Sequence, residues 1–186
     1  LCPRATVVIM AKPLHPSPPV LSRDGVSLTV ANTRRNLPEA LSPQIKSTNF
    51  LNNILAKRES IAAGTFDSLF LNWKDELTEC TVSNLFFISG KTLHTPALDC
   101  GILDGITRTI VMTLAQEEGV PVREGHYHLA DLQRAEECFL TNTSMEIMPV
   151  NRVDSFAIGD GRPGSLTRRL QTRFADNRAR FFESSP

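Results

Sequence analysis

The chain has one tryptophan, one tyrosine and only five lysines, at positions 12, 46, 57, 74 and 91. Any search for a nucleophilic amine is therefore confined to a short list. No apolar run approaches the ~18 residues that a membrane-crossing helix needs. The first residues contain Pro3 and Arg4 and lack the charged and apolar regions of a secretory leader. The four cysteines, Cys2, Cys80, Cys100 and Cys138, show no CxxC spacing. That pattern argues against a zinc site or a disulfide framework, and favours a reducing cytoplasm. Charge of one sign is also missing: 20 Lys plus Arg balance 20 Asp plus Glu. Nothing in this balance points to a nucleic-acid or membrane surface.

What is present fits an ordinary globular protein, with 41% apolar and 22% charged residues in 186. That length is one large domain with enough chain to bury a core. The chain opens on Leu1 and runs almost at once into TVVIM, which leads us to expect further sequence upstream. Thr6–Met10 is expected to be a buried strand, closed by the proline-rich stretch Pro13–Pro19. Val26–Val30 alternates as a second strand. Apolar residues Phe50, Leu51, Ile54, Leu55 and Ile61 recur at helical spacing over Asn49–Ala63, with Gly64 as the stop.

Short strands are predicted at Ser68–Leu71, Glu76–Val82, Leu85–Ile88 and Thr92–Thr95, with a hairpin turn at Ser89-Gly90-Lys91. A helix follows at Ile106–Glu117, a strand at Val120–Glu124, a short helix at Leu129–Ala135 and a strand at Cys138–Thr141. Glu146–Val150 and Arg152–Phe156 suggest two arms of a hairpin, and Leu166–Phe182 a final helix. Short strands interleaved with helices indicate a mixed α/β architecture.

Several motifs favour plain structural readings. Gly159-Asp160-Gly161-Arg162-Pro163-Gly164 matches GxGxxG literally. Too little chain follows for a βαβ unit, so a turn before the last helix is favoured. His126-x-His128 could aim two imidazoles at a metal. With no third ligand nearby in sequence, a surface or core role is favoured and no metal is expected. Asn142-Thr143-Ser144 matches a glycosylation sequon, discounted without a secretion signal. Cys80 beside Glu79 lacks a histidine partner and reads as a buried apolar side chain.

Three segments carry chemistry. Lys46 follows Ile45 and precedes small polar residues; an amine in an apolar setting becomes a better nucleophile, but this local context alone does not displace the ordinary reading of a solvated charge. Gly105-Ile106-Thr107 opens a helix, whose free N–H groups and positive dipole end can hold a phosphate, although taken alone a plain glycine-containing helix start is the favoured reading. Glu79 lies among strand residues: buried there, a carboxylate needs a cationic partner, and a surface glutamate on an edge strand is the equal alternative.

Together the runs IKSTNFLNNILAKRES, LTECTVSNLFF, TPALDCGILDGITR, FLTNTSMEIMPV and IGDGRPGSLTRRL resemble, in order, the class-IV, fold-type-IV enzymes that use pyridoxal 5′-phosphate. That family includes branched-chain and D-amino-acid aminotransferases and aminodeoxychorismate lyases. The resemblance extends from about Val26 to Phe174. It implies the large C-terminal domain of the D-amino-acid-aminotransferase-like fold, an α+β mixed sheet or pseudo-barrel with flanking helices. Residues 1–25 would be an interdomain or strand segment, and the family's small N-terminal domain would lie outside this chain, in cis or in trans.

The resemblance also implies roles. Lys46 would bind the cofactor covalently and shuttle a proton, and Glu79 would pair with the ring nitrogen. Leu103 would pack on the ring, and Ile106, Thr107 and Thr143 would cradle the phosphate. Thr143 and Ser144 would offer N–H groups to the substrate carboxylate. The implied partners are an amino acid, a 2-oxo acid and a second copy of the chain. The implied reaction is ping-pong transfer from a branched-chain or other apolar amino acid to 2-oxoglutarate. The alternatives are a D-amino-acid aminotransferase, an aminodeoxychorismate-type lyase, or a cofactor-fold module without turnover. Phe50 departs from the Tyr that branched-chain enzymes often carry there, and Asp104 from a common Pro.

Overall fold

A computed structural model describes residues 4–183, with side chains to residue 181. Nine strands form one mixed sheet: β1 (Val26–Val30), β2 (Asp67–Leu71), β3 (Leu77–Cys80), β4 (Asn84–Ser89), β5 (Thr92–Pro96), β6 (Val122–Gly125), β7 (Glu137–Asn142), β8 (Glu146–Val153) and β9 (Phe156–Ala157). The order is β3-β2-β1-β8-β7-β4-β5-β6, with β9 on β8. A further pairing of β3 with β4 closes the first six into a ring. β1 runs parallel to both β2 and β8, and the β2–β3, β3–β4, β4–β7 and β7–β8 pairs are antiparallel. This is the mixed α/β pseudo-barrel that the resemblance implies.

The apolar runs are continuous because the ring is buried on both faces. Along β4, Leu85 and Phe87 point into the ring with Leu28, Leu69, Leu77, Leu140 and Met148. Phe86 and Ile88 point outward, where they meet Val111, Leu114, Leu170 and Phe174 from two helices. Those helices are α3 (Ile106–Glu117) and α5 (Ser165–Asp176). Phe86 stacks on Phe139 of β7 at 5.1 Å between ring centres. Gly90 and Lys91, both at positive φ, make the expected tight turn between β4 and β5.

Four expectations need correction. Thr6–Met10 is not a buried strand but exposed coil, with Ile9 89% exposed. The proline-rich stretch ends instead in a short helix, α1 (Pro19–Asp24), with Pro19 in its first turn. The expected hairpin at 146–156 is one long strand, β8, with only a two-residue partner. β8 must be long because it pairs with β7, β1 and β9. The last helix breaks at Asn177 before α6 (Arg178–Glu183).

The fourth correction concerns α2 (Leu51–Ala63). Its apolar positions Leu51, Ile54, Leu55 and Ile61 face outward. The buried stripe is Asn53, Ala56 and Ser60, small enough for the helix to lie close on Phe70 of β2. Asn53 Nδ2 donates to Thr81 O and Ser60 Oγ to Lys57 O, so the buried polar groups are partnered.

The glycine-rich 159–164 segment is a turn. Gly159 has φ 55°, and a Cβ there would overlap Glu136 O. The chain then enters α5, whose first turn is closed by the Glu137 carboxylate. That carboxylate accepts from Leu166 N (3.0 Å), Thr167 N (2.7 Å) and Thr167 Oγ1 (2.6 Å). An acid already seated at this helix end excludes an anionic ligand. Glu137→Ala should cost about 2 kcal/mol of stability by loss of this cap, read as a lower urea midpoint with an unchanged slope.

Candidate active site

One cavity of about 500 Å3 opens where the loop after β1, the ends of β3 and β7, the start of β4 and the start of α3 converge. Its wall includes Lys46, Glu79, Leu103, Ile106, Thr107 and Thr143, six of the seven residues expected from sequence. The seventh, Ser144, is not part of the wall. Asn142 Oδ1 accepts from both Ser144 N (3.0 Å) and Met145 N (2.8 Å), which turns the Ser144 N–H inward on its own turn.

Glu79 is the buried centre of the site, 5% exposed. Its Oε1 accepts from Arg35 Nη2 at 2.5 Å. Its Oε2 accepts from Asn84 Nδ2 (3.1 Å) and the backbone N–H of Leu103 (3.0 Å). Arg35 is itself buried. It donates through Nε to Gly101 O (2.9 Å) and through Nη1 to Asn53 Oδ1 (3.2 Å), and its guanidinium lies over the Phe70 ring. Sequence reasoning called for a cation only if Glu79 were buried, and located none. Arg35 lies 44 residues away in a loop, and only the fold joins the two.

Burial pushes the Glu79 carboxyl up to about 7, against the opposing pull of Arg35 first and the Leu103 N–H next. Lys46 also adds a positive field at Glu79, so the two groups act on one space. Lys46 is not in the apolar setting its neighbours suggest. It is exposed, in the loop before α2 on the open side of the cavity. Asn84 is a second residue not expected from sequence. It pairs directly across from Glu79 in the β3–β4 ladder and donates to Leu103 O at 2.8 Å. Gly105 makes room for it, since a Cβ there would overlap Asn84 Oδ1.

A phosphorylated ligand has a place to bind. No side chain caps α3 at Gly105, in contrast to the Glu137 closure of α5, and this open helix start forms part of the wall. Two further wall residues, Ser83 and Thr141, bury hydroxyl oxygens that have no hydrogen-bond partner. Buried unpaired hydroxyls are rare and await a polar group from a ligand or water. Asp104, just before this helix, ion-pairs with the buried Arg108 at 3.6 Å.

The model of the family described as amino-transferase class IV matches residues 1–153. The chain belongs to the class IV aminotransferases. A Methanocaldococcus jannaschii protein named "Putative branched-chain-amino-acid aminotransferase" is 37% identical over 97% of this chain and 62% of its own length. A D-alanine aminotransferase of Listeria monocytogenes is 38% identical over 71% of the chain and 45% of its own. An aminodeoxychorismate lyase of Bacillus subtilis is 34% identical over 90% and 56%.

Among solved structures, the Escherichia coli branched-chain amino acid aminotransferase aligns at TM-score 0.82 and 31% identity, over 84% of this chain and 52% of that one. A T.th. branched-chain amino acid aminotransferase, solved with pyridoxamine 5′-phosphate, aligns at 0.80 and 29% over 83% and 51%. This class IV chain thus spans about half the length of the relatives it matches. Class IV aminotransferases use pyridoxal 5′-phosphate. The open helix start, the two unpaired hydroxyls and the buried carboxylate all fit that group.

Two outcomes follow for the class IV site. A carboxyl raised from its ordinary 4.5 to about 7 contributes stability that is complete below pH 4.5 and lost as pH rises through 7. Between those values, urea midpoints of the cofactor-free chain should fall relative to Glu79→Gln, which lacks this titration. Gly105→Ala should displace Asn84 and cost about 1–3 kcal/mol, measured by the same unfolding titration.

Proposed function

We propose that this chain is the cofactor-binding part of a pyridoxal-phosphate-dependent aminotransferase that moves an amino group from a branched-chain or other apolar amino acid to 2-oxoglutarate. The observation that carries the reading is the shared cavity. An amine at Lys46 and an acid at Glu79 line one space whose wall also includes an open helix start.

Bound there, pyridoxal 5′-phosphate supplies an electron sink that stabilises negative charge at the substrate Cα. Lys46 Nζ is the residue we assign to hold the cofactor covalently, and then to take and return the proton at the substrate Cα. Glu79 accepts a hydrogen bond from the ring nitrogen, and Arg35 and Asn84 fix its orientation. The side chain of Leu103 packs against the ring. The N–H groups of Ile106 and Thr107 hold the phosphate, with Thr143 as a second donor. Thr143 N–H is also assigned to the substrate carboxylate. Ser144 N–H reaches it only if Asn142 releases it. Each cycle has two halves: the donor leaves as a 2-oxo acid, and the amino group passes to a second 2-oxo acid. The open side of the cavity leaves room for a homodimer partner or for the family's small domain. No helix among the described residues is long and apolar enough to cross a membrane.

The Bacillus subtilis match supports an alternative, in which the same lysine drives elimination and releases pyruvate from aminodeoxychorismate. The Listeria match supports a D-amino-acid donor. Pyridoxal 5′-phosphate added to the chain and reduced with borohydride should add the cofactor mass to the Lys46 peptide. Lys46→Ala should abolish that label and lower turnover by about 10^3-fold or more. A label on another lysine overturns the assignment. With leucine, D-alanine and aminodeoxychorismate offered in turn, 2-oxo acid formation dependent on 2-oxoglutarate supports transamination. Release of pyruvate without an acceptor overturns it in favour of the lyase.

A further inference from the structure

Behind the cavity, three segments far apart in sequence meet at one point. Glu76 lies in the turn between β2 and β3, Cys100 ends a 3-10 turn at Leu98–Cys100, and His126 follows β6. His126 Nδ1 is 3.1 Å from Glu76 Oε1 and 3.6 Å from Cys100 Sγ, and all three donor atoms lie within 4.8 Å of one another. None of the three lines the cavity. His128, the other half of the histidine pair, goes elsewhere. Its Nδ1 meets Asp75 O at 3.1 Å at the start of α4 (Leu129–Gln133). The further ligands that the neighbouring sequence lacks are therefore supplied by other parts of the fold.

We propose that Glu76, Cys100 and His126 form a binding site for a single thiophilic divalent cation of the zinc class. One nitrogen, one sulfur and one carboxylate oxygen are a ligand set such ions accept. With metal–ligand bonds of about 2.0–2.3 Å, tetrahedral ligands sit roughly 3.3–3.7 Å apart. The two nitrogen-centred separations are close to that spacing, so small side-chain shifts suffice. The surrounding groups orient the ligands. Asp99 Oδ2, 3.3 Å from His126 Nε2, takes that N–H and leaves the Nδ1 lone pair for the metal. Asn72 Nδ2 donates to Glu76 Oε2 at 2.7 Å, leaving Oε1 to ligate. Asn72 Oδ1 also accepts from Glu76 N, which fixes the backbone under the ligand.

On binding, the Cys100 thiol gives its proton to solvent and a sulfur–metal bond forms, so thiolate and carboxylate together balance a 2+ charge. Glu76 and Cys100 are buried while His126 is 45% exposed, so the ion enters from the histidine side, and water completes its coordination. The site adjoins the catalytic cluster through the next residue, because Gly101 O accepts from Arg35.

The test uses the full chain, stripped with chelator and titrated with Co2+, then with Zn2+. One equivalent of Co2+ should give a thiolate-to-cobalt charge-transfer band in the near ultraviolet, bleached by Zn2+. Cys100→Ser and His126→Gln should each abolish the band and weaken binding about tenfold or more, with folding checked by thermal unfolding. His128→Gln should leave it unchanged. A folded chain that binds no Co2+, or binds it without the band, overturns the site. So does a band that survives Cys100→Ser, or Co2+ affinity unchanged in His126→Gln. The readout needs no pyridoxal phosphate and no turnover, so failure here leaves the aminotransferase reading standing.

Discussion

The site depends on keeping one carboxylate out of water. Glu79 loses nearly all its solvent, a loss that would by itself force it to stay protonated. Arg35, Asn84 and the Leu103 N–H offset part of that loss, and the carboxyl stays raised to about 7. Each comes from a different segment, and each is held by a second bond: Arg35 to Gly101 and Asn53, Asn84 to Leu103. Breaking such a buried pair typically costs about 3–5 kcal/mol, because the surviving charge is stranded. The ring closure between β3 and β4 matters for this reason. It puts Asn84 directly opposite Glu79 and so fixes where the acid points.

The same physics at two helix starts gives opposite results. In α5 a glutamate from β7 reaches over and occupies the free N–H groups, so that end is structural. In α3 no side chain does so, and the open end faces a cavity. A glycine precedes both helices. What separates them is the neighbouring strand. β7 carries Glu137 to α5, whereas β4 carries to α3 an asparagine already committed to Glu79.

Burial on both sides of a closed sheet also explains why the middle of the chain was easy to read and its edges were not. Runs such as Leu85–Ile88 and Cys138–Leu140 are continuously apolar because one face fills the ring while the other meets α3 and α5. The stripe Leu51, Ile54, Leu55 and Ile61 satisfies the same helical periodicity but points away from the sheet. Periodicity reports that a face is apolar. It does not report whether the protein's own sheet is what covers it. Thr6–Met10 is likewise apolar, yet it joins no strand and lies exposed.

From its residue order alone the chain determined most elements and the mixed α/β class, because local patterning and turn chemistry act over a few residues; the six residues of the cavity wall were named through the resemblance of its ordered motifs to a family. It also set out that Glu79, if buried, would need a cation, while leaving a surface position on an edge strand open. Which cation, and how the acid is aimed, were decided only by tertiary structure, since Arg35, Asn84 and Leu103 reach it from separate loops and strands. The Ser144 N–H turning inward and the meeting of Glu76, Cys100 and His126 belong to the same class. Contacts between residues dozens of positions apart leave no periodic trace in sequence; they exist only once the ring has closed.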